Sequence, residues 1–282
     1  MSHAGTAPLD RLRRNRAATL SLLILAGITS LVLLVPFATP HDVDRPDFDA
    51  ISLPPSFADA RFFGTDTLGR DLFARTLAGG RVSLLVALVA TAVSLLIGVS
   101  YGATAGYFGG RVDHLMMRLV DILYAMPFLF LVILLLVFFG RNLVLMFVAI
   151  GAINWLDMAR IVRGQTLSLR RRAFVEAAVV AGLPPFTIIR RHIVPNLLGI
   201  VVVYMTLTIP QVMLVESFLS FLGLGVQAPM TSWGALVNEG ARAMESAPWM
   251  LVFPAAFLAT TLFCFNFLGD GLRDALDPRG DR

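Results

Sequence analysis

Groups able to do chemistry are sparse in this 282-residue chain and do not gather into a reactive set. His3, His41, His114 and His192 are dispersed, and neither an HExxH metal motif nor a GxSxG nucleophile motif occurs. Lysine is absent, so a phosphate loop ending in Gly-Lys-Ser or Gly-Lys-Thr is impossible, and any ATP hydrolysis falls to another chain. The acid-rich stretch HDVDRPDFD (41–49) lacks the alternating ligands, central glycine and closing glutamate of an EF-hand. Cys264, the only cysteine, sits in an apolar run and reads as a small buried hydrophobe with no intrachain disulfide to make. An enzyme is therefore disfavoured, and the informative polar residues are those placed where apolar ones are the rule.

One such set lies late in a long apolar run: Gln211, Glu216 and Ser220, after Pro210, which can bend a helix and free a carbonyl. An ionisable group inside a membrane needs a partner, a polar cavity or a proton. Glu216 thus reads either as a structural hydrogen bond or ion pair near an outer gate, or as part of a solute path. Asp121 with Arg118, and Asp157 with Arg160, are spaced i,i+3, which favours local ion pairs over a proton relay. Asn266 reads as a helix-to-helix hydrogen bond.

The elements that must hold these groups follow from composition. With 57% hydrophobic and 15% charged residues and a mean hydropathy of +0.77, the chain belongs in a bilayer. The net charge of +4 arises at its flanks rather than on a nucleic-acid face. A membrane span takes about 20 apolar residues, and the stretches 17–37, 82–106, 116–139, 142–159, 197–222 and 249–269 qualify. All are expected to be helices, because an isolated strand would leave its backbone unpaired in lipid. The first follows Arg11, Arg13, Arg14 and Arg16, but its apolar core exceeds the roughly 7–15 residues of a secretory signal, so it reads as an uncleaved span. Arginine-rich connections tend to stay in the cytoplasm. Placing both termini inside puts 1–16, 160–196 and 270–282 there with most of the 23 arginines, and leaves 38–81 and Arg141 outside.

Within 38–81, Thr65 or Asp66 is expected to cap a short interfacial helix carrying Leu68, Leu72, Phe73 and Thr76 on one face, until Gly79 and Gly80 interrupt it. Gly98, Gly102, Gly106 and Gly110 recur every four residues and make a strip for close helix packing rather than a substrate path.

The segment FVEAAVVAGLPPFTIIRRHIVPN (174–196), preceded by Arg170, Arg171 and Arg172, breaks the apolar pattern. EAAVVA favours a helix, and Gly182 stops it. Pro184 and Pro185 open a second short helix, 184–191, because the donors they lack fall among the orphan donors of a first turn. That helix is expected to present Phe186, Ile188 and Ile189 and to end at Arg190, Arg191 and His192, where cations suit a carboxyl terminus. Pro195 and Asn196 then close it. Such a knob suits a groove on another protein, while an amphipathic loop anchored on headgroups by arginines has the same pattern.

Glu176-Ala177-Ala178, Gly182 six residues after the glutamate, and Pro195 thirteen after the glycine resemble the EAA loop of permease subunits in ABC importers. His192 departs from the aliphatic residue usual in sugar-importer permeases, whereas RHIVPN is similar to the peptide and nickel branch. GTDTLGRD (64–71), ESFLSFLGLGVQAPMTSWG (216–234) and FNFLGDGLRDALDPR (265–279) resemble the same dipeptide/oligopeptide/nickel subfamily, and its second permease in particular. The resemblance implies an all-α type I importer permease fold with about six transmembrane helices, 82–269 forming a five-helix core behind the first. It implies that Glu176, Ala177, Ala178 and Gly182 scaffold a loop whose Leu183, Pro184, Phe186, Ile188 and Ile189, flanked by Arg190 and Arg191, dock on a cytoplasmic ATPase. It also implies a homologous second permease, two ATPase subunits and an extracytoplasmic binding protein as partners. ATP and Mg²⁺ would be held by the ATPases, with no cofactor on this chain. The cargo would be di- or oligopeptides, or alternatively nickel complexes; on the solute-path reading of Glu216, its carboxylate would meet a peptide's amino end. A secondary transporter working without ATP is expected to carry an inverted repeat, and none is evident.

Overall fold

A computed structural model describes residues 8–38, 43–139 and 143–276. His3, His41, Asp42, Arg141, Arg279 and Arg282 lie outside the described residues. In chain order the helices are α1 (Pro8–Arg14), α2 (Arg16–Ala38), α3 (Leu72–Phe108), α4 (Gly110–Ala125), α5 (Phe128–Phe139), α6 (Leu143–Leu169), α7 (Ala173–Val180) and α8 (Pro185–Ile188). A π-helical turn at Ile189–Ile193 leads into α9 (Val194–Phe221), followed by α10 (Trp233–Arg242) and α11 (Trp249–Leu276). Arg16–Leu34, Leu72–Phe108, Pro185–Phe221 and Trp249–Leu276 are each long and apolar enough to cross a bilayer.

The run 116–139 is two helices rather than one. Met126 precedes Pro127 and is extended (ψ 134°), separating α4 from α5, because the proline ring crowds an αR residue before it. The connection between the first two spans also differs from expectation. Residues 43–71 form a folded cap whose helical content, among the described residues, is a 3₁₀ turn at Phe48–Ala50. The cap of α3 is Asp71, accepting from Ala74 N at 2.7 Å, and not Thr65 or Asp66. Gly79 and Gly80 do not interrupt α3. A Cβ on Gly79 would lie 3.1 Å from the Ser232 backbone, and one on Gly80 would lie 2.7 Å from the Trp233 ring. Their small size admits α10 against the helix.

α3 is the central element. Its 37 residues give a rod of roughly 55 Å, longer than the roughly 30 Å of hydrocarbon. Its Leu77, Val86, Ala87 and Ala90 share one buried core with Val32 of α2, Ile150 of α6, Val212 and Met213 of α9 and Trp233 of α10. Lower down, α3 lies tight against α6: a Cβ on Gly98, Gly102 or Gly106 would come within 2.6 Å of Met158, 2.4 Å of the Ala159 carbonyl or 2.7 Å of Thr166. Gly110 does not continue this strip. It lies past the end of α3 with φ +54° and open space around it.

Candidate functional site

At one end of the molecule, α7 terminates in a hydrogen-bonded corner. Gly182 N donates to Val179 O at 3.0 Å and Leu183 N donates to Ala178 O at 3.2 Å, the paired bonds of a Schellman motif. Gly182 adopts φ +74° with nothing within 4 Å of a Cβ added there, so the backbone angle, not space, calls for glycine. Glu176 is exposed in the first turn of α7, where a negative charge suits the positive end of the helix. Pro184 caps α8 and Pro185 opens it.

The corner divides its side chains sharply. Val180 is 88% exposed and Phe186 72%, with Val179, Phe174 and Leu183 also outward. The expectation that Ile188 and Ile189 belong to the outward surface is corrected: they are 1% and 7% exposed. With Val175, Ala178 and Ile193 they pack against Ala103 of α3 and Met158 and Val162 of α6. The helix carrying them does not stop at His192 either. Pro195 has no amide to donate, and the chain absorbs this with the π turn, in which Val194 N donates back to Ile189 O. Asn196 Nδ2 donates to His192 O at 2.7 Å. One continuous rod, Pro185–Phe221, therefore joins the corner to the opposite end of the helix bundle, with Arg190 and Arg191 exposed on its flank.

Arg163 of α6 grips Asp113 of α4 with two hydrogen bonds, Nη2 to Oδ2 at 2.7 Å being one, and the Phe186 ring meets Phe108, at the end of α3, edge-on at 6.2 Å. Farther in, the expected i,i+3 pairs are replaced by contacts between helices: Arg160 donates to Asp121 at 2.8 Å and Tyr124 to Asp157 at 2.5 Å. Asn266 bonds within its own helix, to Leu262 O.

At the other end of the rod, Glu216 is fully buried. It accepts from Ser220 Oγ at 2.8 Å and Ser83 Oγ at 3.2 Å, and Ser83 Oγ accepts from Trp233 N at 3.1 Å. The carboxyl group thus ties α9 to α3. Gln211 lies on a different, exposed face of α9, so the three residues do not form one surface. Above them, buried Arg75 of α3 donates to Asp66 of the cap at 2.6 Å and to Glu239 of α10 at 2.6 Å, and Arg70 Nε reaches Asp66 at 2.7 Å. Sequence reading missed this network and α10 itself. The available signal was Ser232, which caps α10 by accepting from Ala235 N. In the cap, Arg61 donates to Asp47 at 2.7 Å and holds that carboxyl below its ordinary range.

Comparison with known proteins adds a second line. The family model described as binding-protein-dependent transport system inner membrane component matches residues 94–282, and the N-terminal TM domain of oligopeptide transport permease C matches 9–55. The oligopeptide transport system permease protein OppC of Haemophilus influenzae is 56% identical over 95% of this chain and 86% of its own length. OppC of Escherichia coli K12 is 55% identical over 95% and 89%. The dipeptide transport system permease protein DppC of Bacillus subtilis is 48% identical over 95% and 84%. The inward-facing MetNI methionine ABC transporter matches with a TM-score of 0.59 at 17% identity, covering 71% of this chain and 94% of that one, a likeness of fold.

Proposed function

Since this chain belongs to the family of binding-protein-dependent transport system inner membrane components, we propose that it is the membrane-spanning subunit of an ATP-driven importer of di- and oligopeptides. It is a transport subunit and not an enzyme. The relatives named for oligopeptide and dipeptide transport support the choice of cargo. The path would run between this chain and a homologous second permease, fed from outside by a binding protein and driven from inside by two ATPase subunits that carry ATP and Mg²⁺. Arginine placement supports an inner-membrane orientation with 1–16, 160–196 and 270–282 in the cytoplasm and 38–81 outside.

The observation that carries the reading is the inner corner. Leu183, Pro184 and Phe186 stand outward on a turn fixed by Gly182, while Ile188 and Ile189 anchor it to α3 and α6. Force applied by an ATPase at the exposed side chains would reach the spans through packed side chains and one continuous helix, the shear-type displacement that coupled membrane machines use. Glu176, Ala177 and Ala178 form the supporting turn, and Arg190 and Arg191 flank the contact. Gln211, Glu216 and Ser220 belong to the outer half of the rod, with Glu216 and Ser220 holding the gate region together.

The test is ATP-dependent uptake of labelled di- and oligopeptides in cells lacking this chain, complemented with wild type or Gly182→Val at matched membrane abundance. Wild type alone is expected to restore uptake. Full uptake by Gly182→Val would sink the coupling assignment, and failure of wild type with every peptide, but not with nickel complexes, would move the cargo to that alternative.

A further inference from the structure

A cleft of about 700 Å³ opens between the inner parts of α6, α9 and α11, within the roughly 300–1,000 Å³ usual for small-ligand sites. It is lined by apolar Val203 and Leu207, of which Val203 is buried, and by polar Gln165, Asn196, Tyr204 and Arg273, of which Gln165, Asn196 and Arg273 are exposed. Gly164 and Gly199 keep opposite walls open: a Cβ on either meets nothing within 4 Å.

The charged residues lining the cleft are all of one sign. Arg160 also lines it but is engaged by Asp121 at 2.8 Å. Arg273 is exposed, and among the described residues it has no ion-pair partner and no acid lines the cleft. A guanidinium fork beside neutral donors is the chemistry that recognises a carboxylate.

We propose that this cleft is the inner vestibule of the transport path and that Arg273 there receives the C-terminal carboxylate of the departing peptide. The proposal rests on the peptide-importer reading given above. Every unmodified peptide carries that carboxylate whatever its side chains, so a site reading it, with an apolar wall beyond, handles cargo of varied sequence. One cation on an exposed rim binds weakly enough for release into the cytoplasm.

The test uses the complete importer, both permeases with their ATPases, in inside-out vesicles. Gly199→Cys places a reporter thiol on the cleft wall, and the native Cys264 is buried, which limits background on this chain. Its labelling by a charged maleimide is followed with trialanine or trialanine amide added from the cytoplasmic side. Trialanine is expected to slow labelling at about tenfold lower concentration than the amide, and Arg273→Gln is expected to erase that difference. No protection, equal protection by the two peptides, or a difference that survives Arg273→Gln overturns the proposal. Vesicles of phosphatidylcholine with and without phosphatidylglycerol form a further arm: Arg273-dependent protection that follows the anionic lipid without peptide assigns the cleft to headgroups and overturns it equally. ATP-driven release of peptide enclosed with the binding protein in the vesicle lumen, which is the import direction in this orientation, separates the two levels. Release without cleft protection refutes the vestibule alone, whereas absence of release for every peptide refutes the importer reading.

Discussion

Replacing Gly182 separates backbone conformation from side-chain size more cleanly than any other position in the inner corner. At φ +74° with nothing within 4 Å of the added Cβ, a substituent meets no neighbour, so the penalty is conformational. The left-handed region costs an L-residue roughly 1–2 kcal/mol, and less for Asn; a β-branched residue lies at or above the upper end. The corner is held by two hydrogen bonds, Gly182 N to Val179 O and Leu183 N to Ala178 O, worth about 0.5–1.5 kcal/mol each. Strain and bonds are therefore of the same order, and each 1.4 kcal/mol shifts the population of the corner about tenfold. Peptide uptake is expected to fall in the order Gly, Asn, Ala, Val, with Asn close to wild type and Val near background. Thermal unfolding of the purified complex should barely move across the series, because the corner is exposed. The assay is initial uptake rate at matched membrane abundance. An order set by volume, with Asn below Ala, would refute the reasoning.

Three further outcomes follow from the packing and the charges. Gly102→Val places a Cβ 2.4 Å from the Ala159 carbonyl and is expected to cost about 1–3 kcal/mol or more, whereas Gly27→Ala, with nothing within 4 Å, should leave stability level or slightly improved; equal shifts in thermal midpoint would contradict the α3–α6 seam. Arg75→Gln leaves buried Asp66 with Arg70 as its remaining cation and should destabilise the cap by about 1.5–3 kcal/mol, the worth of a hydrogen bond to a charged group, seen as proteolysis within 43–71 at neutral pH; wild-type resistance would count against the network. Asp47 is held below its ordinary pKa first by the hydrogen bond from Arg61, so its contribution is present above the ordinary carboxylate value of about 4 and is lost as pH falls through the lowered one. Protease access to the cap should rise over that acid range, Arg61→Gln should already show the rise at pH 7, and a pH-independent digestion pattern in wild type would exclude this contact as a cap fastener.

Local chemistry was readable without coordinates. An apolar run must be a helix in lipid, Gly182 must turn the chain, and glycines four apart must admit a neighbour, because each follows from backbone hydrogen bonding or from the missing Cβ. The spans within α2, α3, α9 and α11, the corner at 182 and the seam at Gly98, Gly102 and Gly106 were legible for that reason. Tertiary structure decided what depends on which element arrives from elsewhere. Gly79 and Gly80 look like helix breakers until α10 is laid across them, and Asp121 looks paired with Arg118 until Arg160 approaches from α6. Ile188 and Ile189 have the same composition as an outward contact surface, yet they pack into the core against α3 and α6 while Phe186 stays outside. Arg75, Asp66 and Glu239 lie on three separate stretches of chain, and no periodicity in any one of them announces the others. Sequence determines the conformations that a few neighbouring residues can adopt; the partner of a buried charge and the face a helix turns outward are set by long-range packing, which short-range pattern does not encode.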